Sequence, residues 1–271
     1  MKIQFLGTGA AEGIPALRCL CPACRTARIK KGPSIRQNAC IYLEGDQGER
    51  LLIDFPSHCK ASLNDHGIKD TDITDLILTH YHQDHTNGFF FLAGSPENNG
   101  IITGTPLNVH LSRDTLQSLS GQFNINGSCS FHLLEDQKGF SVGSLKITPL
   151  ETGHLSRPEE AGRRCFGFLF DSPQHRFAYL ADSSMALPEA SREKLKERPL
   201  ACLILECTFA DNPESRRHFD IAGVLALHSF IQPERMILTH ISHRNYDHEP
   251  LTELMEPYHI EVAWDGRIIT L

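Results

Sequence analysis

With 271 residues, 40% of them hydrophobic, the chain has enough apolar side chains for one large core, and α/β domains of this length commonly fold as a single unit, here 1–271. A formal net charge of -7 excludes a general electrostatic pull toward nucleic acid. The longest apolar runs, such as Leu76 to Leu78 and Phe89 to Leu92, fall far short of the roughly 20 residues that a membrane span requires.

In chain order, the first expected strand is Lys2 to Leu6. Met1 leads straight into it without the longer apolar region and cleavage site of a secretory signal, so the cytoplasm is the expected compartment. Next comes Cys19-Leu20-Cys21-Pro22-Ala23-Cys24, which holds three of the nine cysteines. That spacing is too tight for a disulfide framework, so thiolate ligation of a metal is the better reading. A closed tetrahedral zinc site needs a fourth ligand, and His243 is the residue proposed for it. The neighbouring Arg25, Arg28, Lys30 and Lys31 read as a solvated face. Cys40, Cys59, Cys129, Cys165, Cys202 and Cys207 read as small buried hydrophobes.

Further strands are expected at Ala39 to Leu43, Arg50 to Ile53, Asp75 to Leu78, Leu107 to Leu111, Ser144 to Thr148, Phe166 to Phe170, Arg176 to Leu180, Ala201 to Leu205, Arg235 to Leu238 and Ile260 to Ala263, each a short apolar run between turn signals. Helical periodicity predicts Thr115 to Leu119, Leu187 to Glu197 and Ile221 to Ile231. The stretch from Gly94 to Gly104 reads as a surface loop. Leu76-Ile77-Leu78-Thr79-His80 is echoed by Met236-Ile237-Leu238-Thr239-His240, each an apolar strand ending in Thr-His.

The strongest chemical signal is His80-Tyr81-His82-Gln83-Asp84-His85, which follows the strand ending at Thr79. Residues two apart on an extended end point to the same side, so His80 and His82 can grip one cation while Asp84 and His85, in the turn beyond, face a second. Further ligand candidates sit just past apolar strands: His154, Asp182 and His240. An aspartate can bridge two cations, which makes Asp182 the bridge candidate. Taken singly, each of these is better read as a capping or hydrogen-bonded polar residue at a strand end; beside the His80 segment they read as ligands.

Leu6-Gly7-Thr8-Gly9-Ala10-Ala11-Glu12-Gly13, the His80 to His85 segment, Ile237-Leu238-Thr239-His240-Ile241-Ser242-His243 and the cysteine insertion at about 14–34 together resemble the metallo-β-lactamase superfamily, in particular its phosphoribosyl cyclic phosphodiesterases of phosphonate catabolism. The resemblance spans nearly the whole chain. It implies a four-layer αββα sandwich, with one metal on His80, His82, His154 and Asp182, a second on Asp84, His85, Asp182 and His240, and a structural zinc on Cys19, Cys21, Cys24 and His243. It further implies His218, Asp84 and Asp182 as the catalytic residues, His218 giving a proton to the departing sugar oxygen or stabilising the phosphorane. Read without the resemblance, His218 is a solvent-exposed histidine in an arginine-rich turn. The implied substrate is a small phosphorylated sugar, a phosphoribosyl 1,2-cyclic phosphate, and the implied cofactors are two divalent ions, Mn or Zn, plus the structural Zn. Neither membrane nor nucleic acid is an expected partner, and a homodimer is allowed for.

The chain departs from the family pattern at Leu155 to Arg164, where extra residues follow His154. Arg157, Arg163 or Arg164 can bind a remote substrate phosphate there, or sit in solvent. Two other readings remain. An RNA-processing nuclease of the same superfamily would use the same metals but calls for a basic arm that the sequence does not plainly supply. A non-catalytic accessory protein, like that of pyrroloquinoline quinone biosynthesis, shares the cysteine finger but predicts a degraded ligand set.

Overall fold

The computed structural model describes residues 1–93, 106–123, 129–155, 157–211 and 217–271. The expected loop from Gly94 to Gly104 lies outside them. Among the described residues the strands are β1 (Lys2–Gly7), β2 (Cys40–Glu44), β3 (Arg50–Ile53), β4 (Asp75–Ile77), β5 (Leu107–Leu111), β6 (Cys129–Leu133), β7 (Phe140–Val142), β8 (Leu145–Glu151), β9 (Phe166–Asp171), β10 (Arg176–Leu180), β11 (Cys202–Glu206), β12 (Met236–Thr239), β13 (Ile260–Val262) and β14 (Ile268–Thr270). The helices are α1 (Pro22–Lys30), α2 (Cys59–Asp65), α3 (Gln83–Thr86), α4 (Phe89–Ala93), α5 (Arg113–Ser120), α6 (Glu189–Lys196), α7 (Ile221–Ile231) and α8 (His248–Met255). The strands form two seven-stranded sheets, ordered β14-β1-β2-β3-β4-β5-β6 and β13-β12-β11-β10-β9-β8-β7.

Alternation along the strands decides how these sheets stack. Ile3 and Phe5 of β1, Ile41 and Leu43 of β2, and Leu51 and Ile53 of β3 turn inward against Phe166, Phe168 and Phe170 of β9 and Phe177 and Tyr179 of β10. Burying each such aromatic contributes roughly 1.5–3 kcal/mol, which makes this shared layer the main source of cohesion. The intervening residues face the helices. Leu6, Tyr42, Leu52 and Leu76 pack with Leu63 of α2, Phe89 of α4 and Leu119 of α5. Leu169, Leu180, Leu203 and Leu238 pack with Leu195 of α6, Leu227 of α7 and Leu251 of α8. The result is the αββα sandwich.

Several elements escape sequence periodicity for physical reasons. In β6 only partial burial is available at an edge, so no apolar alternation develops, and β7 and β14 are three residues long. The cysteine insertion carries α1, which has Pro22 in its first turn and buries only Ala23, Cys24 and Ala27, leaving no large apolar stripe to recognise. Its Arg28 is exposed, as expected of a solvated face, and its guanidinium also donates to the carbonyls of Ala16 and Cys24 at 3.0 and 3.2 Å and to that of Cys19. α8 is held by Leu251 and Met255, four residues apart.

The connections run parallel from β3 through β4 and β5 to β6, and again from β10 through β11 and β12 to β13. Strands that run the same way end at the same edge, where loops are free to carry polar side chains. No helix among the described residues is long and apolar enough to cross a membrane.

Candidate metal centre

That edge collects the residues singled out in the sequence. Thr79 and His80 follow β4; His82 opens α3, which contains Asp84 and His85; His154 follows β8, Asp182 follows β10 and His240 follows β12. Donor atoms of His80, His82 and His154 lie within 4.8 Å of one another, as do those of His80, His85 and Asp182, and those of Asp84, His85 and His240. His85 Nε2 stands 2.7 Å from Asp182 Oδ2 and 3.2 Å from Asp84 Oδ2, and His240 Nε2 stands 3.3 Å from Asp182 Oδ2. On the other side of the carboxylate, Asp182 Oδ1 is 3.6 Å from His154 Nε2. Asp182 therefore lies between the two groups of histidines.

Whether these residues suit cations can be tested on their own hydrogen bonding. His85 Nε2, Asp182 Oδ2 and His240 Nε2 are buried, converge, and have no hydrogen-bond partner among the described residues. Buried polar atoms are ordinarily paired, and two imidazole nitrogens that converge on one carboxylate oxygen are the arrangement expected of a shared ion. Imidazole and carboxylate donors suit divalent transition metals. The set fits.

The opposite nitrogen of each ring is fixed from behind. His85 Nδ1 donates to Asp54 Oδ2 at 2.7 Å, His80 Nδ1 to Thr79 Oγ1 at 3.0 Å, His154 Nδ1 to the Arg217 carbonyl at 2.9 Å, and His240 Nδ1 to Thr208 Oγ1 at 2.9 Å. Each bond sets the tautomer that leaves Nε2 facing the cluster. His82 is reversed: its Nδ1 is 2.7 Å from His80 Nε2, while its Nε2 lies 3.5 Å from Glu160 of the insertion. Two of these residues, Asp54 and His240, have φ of 63° and 51°, a left-handed backbone that non-glycine residues seldom adopt and that the surrounding contacts must hold in place.

Burial holds His80 well below the usual histidine range and pushes His154 down to about 3, so both rings stay neutral with a free lone pair. For His240 burial also opposes the charge, but Asp182, Asp84 and Glu206 outweigh it and lift the ring to about 9. His85 is raised well above its ordinary value in the same way, by Asp84, Asp54 and Asp182. At pH 7 the metal-free site therefore holds protons on His85 and His240 that a cation must displace. Metal uptake is expected to release about two protons, read as the dependence of calorimetric heat on buffer ionisation enthalpy; release of none would mean that these rings do not take up the metal.

Asp54, Thr208, Glu206 and Glu160 were not singled out by sequence reading. Asp54 carried the same signal as the others, an acidic residue just past the apolar run Leu51-Leu52-Ile53. It is fully buried and also accepts from Thr79 N at 2.8 Å. Asp54→Asn removes the charge behind His85 and is expected to weaken divalent-metal affinity roughly 10- to 100-fold, measured by chelator competition. An unchanged affinity would reduce Asp54 to a structural hydrogen bond.

His218 does not sit in a solvated turn. Its Nδ1 lies 3.0 Å from both carboxylate oxygens of the fully buried Glu206, and its ring stacks at 5.5 Å on His240 and meets His154 edge-on at 4.6 Å. Its neighbour Arg216 lies outside the described residues, as does Ser156 of the insertion. Of the insertion's arginines, Arg157 is exposed near Glu159, Arg164 pairs with Glu151, and Arg163 stacks over Tyr81 with its guanidinium carbon 4.0 Å from the ring centre.

The second constellation assembles beside the first. Sulfur and nitrogen donors of Cys19, Cys21, Cys24 and His243 lie within 4.8 Å of one another. His243 Nδ1 is 3.2 Å from Cys19 Sγ and 3.5 Å from Cys21 Sγ, while its Nε2 is 3.2 Å from Glu12 Oε1. Glu12 fixes the tautomer that turns Nδ1 to the thiols. The Cys21 backbone N–H is the largest influence that draws Cys19 down to about 7, toward the thiolate, whereas burial lifts Cys24 to about 12. Cys21→Ser is expected to lower thermal stability and zinc content more than it alters the metals at the histidine cluster, read by melting and elemental analysis; the reverse pattern would contradict a structural role.

A family model described as Beta-lactamase superfamily domain matches residues 53–241, and the chain belongs to this family. It is 26% identical to "Coenzyme PQQ synthesis protein B" of Methylococcus capsulatus, over 100% of both chains. Proteins of the same description from Acinetobacter baumannii are 25% identical over 55% of this chain and 52% of theirs. Among solved structures it is similar to a diphosphatase from the PhnP family, with a TM-score of 0.82, 24% identity and coverage of 99% of this chain and 96% of that one. It is also similar to Zn(2+)-bound PqqB from Methylobacterium extorquens, with a TM-score of 0.83, 17% identity and coverage of 100% of both. At these identities the structural likenesses establish the fold.

Proposed function

We propose that the protein is a cytoplasmic, two-metal phosphodiesterase acting as one domain with a zinc finger at about 14–34, and that its substrate is a small phosphorylated sugar diester such as phosphoribosyl 1,2-cyclic phosphate. The observation that supports this most is the pair of donor groups meeting at Asp182, with the His218–Glu206 contact at 3.0 Å alongside. His80, His82, His154 and Asp182 would hold one ion, and Asp84, His85, Asp182 and His240 the other, Mn or Zn. Such a pair supplies Lewis-acid stabilisation of the charge that develops on the phosphoryl oxygens.

The chain's own residues handle the leaving group. Burial lifts Glu206 well above the usual carboxylic range and draws His218 down to about 4, so both shifts favour the uncharged pair. A protonated Glu206 donates to His218 Nδ1, which places the ring proton on Nε2. As the phosphorus-oxygen bond breaks, Nε2 gives that proton to the departing oxygen while Glu206 refills Nδ1, so no alkoxide has to leave. Glu206 then carries the negative charge, steadied by the Ser183 N–H at 2.6 Å and the Thr208 hydroxyl.

The test is turnover of bis(p-nitrophenyl) phosphate, ribose 1,2-cyclic phosphate 5-phosphate and a lactone by metal-reconstituted protein. Preference for the cyclic phosphate is the expected result; lactone turnover alone, or none with a filled site, would overturn the reading. A second reading, a metal-binding role in coenzyme PQQ synthesis, is favoured by the full-length likeness to the Methylococcus capsulatus protein. It predicts a filled site without hydrolysis. Nothing in a chain of net charge -7 favours an RNA substrate.

A further inference from the structure

His80, His85, His154 and His240 are each fixed from behind by a close hydrogen bond, but His82 is held differently. Among the described residues its outward nitrogen, Nε2, faces the Glu160 carboxylate of the insertion at 3.5 Å. His82 is also the most exposed of the five, with 28% of its side chain open against 3% or less for His85, His154 and His240, and His80 is fully buried. An imidazole braced on one side only keeps rotational freedom that it must give up on meeting a cation.

Glu160 is placed to remove that freedom. It is buried; its Oε2 accepts from the Arg157 N–H at 3.1 Å, which closes the turn, and its Oε1 accepts from the Arg217 guanidinium at 2.8 Å. The Arg217 carbonyl in turn accepts from His154 Nδ1 at 2.9 Å. Glu160 and Arg217 thus form a bracket with one end on His82 and the other on His154. The Glu160 carbonyl also accepts from the Arg163 N–H at 2.9 Å, and Arg163 lies over Tyr81, which stands between His80 and His82 in the chain. Burying a carboxylate is unfavourable unless partners satisfy it, and here Arg217 and His82 both lead to ligands of one proposed ion.

The other proposed ion is braced elsewhere. Asp54, past β3, holds His85, and Thr208, past β11, holds His240, both from the ends of interior strands. Among the described residues no hydrogen bond or ion pair of the insertion reaches Asp84, His85 or His240.

Resting on the two-ion reading given above, we propose that Glu160 is a positioning residue for one ion only, the one assigned to His80, His82, His154 and Asp182, so that the insertion sets the strength of that ion separately from its neighbour's. The probe is Mn²⁺ alone, a cation that thiolates take up poorly. It is titrated into metal-depleted wild type, Glu160→Ala, Glu160→Gln and Glu159→Gln, with bound ion counted by equilibrium dialysis and followed by electron paramagnetic resonance. Two Mn²⁺ ions sharing a carboxylate give a spin-coupled spectrum; a lone ion does not. The wild type is expected to reach the coupled spectrum. Glu160→Ala should weaken one ion roughly 10- to 100-fold and leave the other, so that a lone-ion spectrum persists at concentrations where the wild type is coupled. Glu160→Gln, whose amide oxygen can still accept from His82, should recover part of the loss, and Glu159→Gln, on the exposed side of the same turn, should match the wild type. A coupled wild type whose Glu160→Ala variant weakens both ions equally, or neither, would overturn the inference and leave the two-ion reading intact. A wild type that never gives the coupled spectrum would overturn the two-ion reading, and the inference with it. Should Glu160→Ala not fold, Glu160→Gln decides: weakening of one ion supports the bracket, and unchanged binding removes it.

Discussion

Asp182→Ala is expected to abolish nearly all phosphodiesterase turnover, by a factor on the order of a thousand or more, while the fold survives. Losing the carboxylate shared by both proposed ions removes several kcal/mol of charge stabilisation in the transition state. The fold survives because Asp182 lies past β10, outside its pairing with β9 and β11, and is surrounded by polar side chains of the cluster and not by the inter-sheet core. The measurements are turnover by the metal-reconstituted variant, metal content, and a melting curve. Retained activity would remove Asp182 as the bridge. Inactivity with a collapsed melting transition would mean that the residue is structural; a folded, inactive protein that has lost metal is the predicted outcome.

For His218→Ala, kcat should fall by about 10²- to 10⁴-fold on a sugar phosphodiester, but far less on bis(p-nitrophenyl) phosphate, whose phenoxide leaves without a proton. The pH dependence gives the sign of the relay. Glu206 is raised well above its ordinary value by burial, so it keeps its proton to higher pH than an ordinary carboxylate and loses it as pH rises through the raised value. Wild-type kcat on the sugar substrate should therefore drop on the alkaline side, and both His218→Ala and Glu206→Gln should lack that limb. An equal loss on both leaving groups would refute proton donation and recast His218 as a residue that orients substrate or His240.

The histidine cluster was legible because its chemistry is local. His80 to His85 are consecutive, and His154, Asp182 and His240 each follow an apolar run that the sequence shows directly. Less legible was what stands behind them. Asp54, Thr208 and Glu206 act through contacts between segments far apart in the chain, such as Asp54 with His85 and Glu206 with His218. A single acid or hydroxyl at a strand end does not announce such a partner. Strand boundaries are legible where most of the strand is buried, as in β3, β5 and β10, and are missed where little of it is, as in β6. From sequence the insertion offers arginines that bind a remote phosphate or sit in solvent; it also delivers Glu160, which lies between His82 and Arg217, a position no local pattern encodes.

The cluster draws its donors from the ends of strands in both sheets: β4 and the start of α3 on one, β8, β10 and β12 on the other. A cation held there would act as a rivet between the two β layers, placed at one edge of the sandwich. Separation of the sheets and escape of the ion then become one event. Chelation would accordingly shorten the lifetime of the native state against proteolysis and heat, through faster opening at this edge, even if the folded conformation at rest were unaltered.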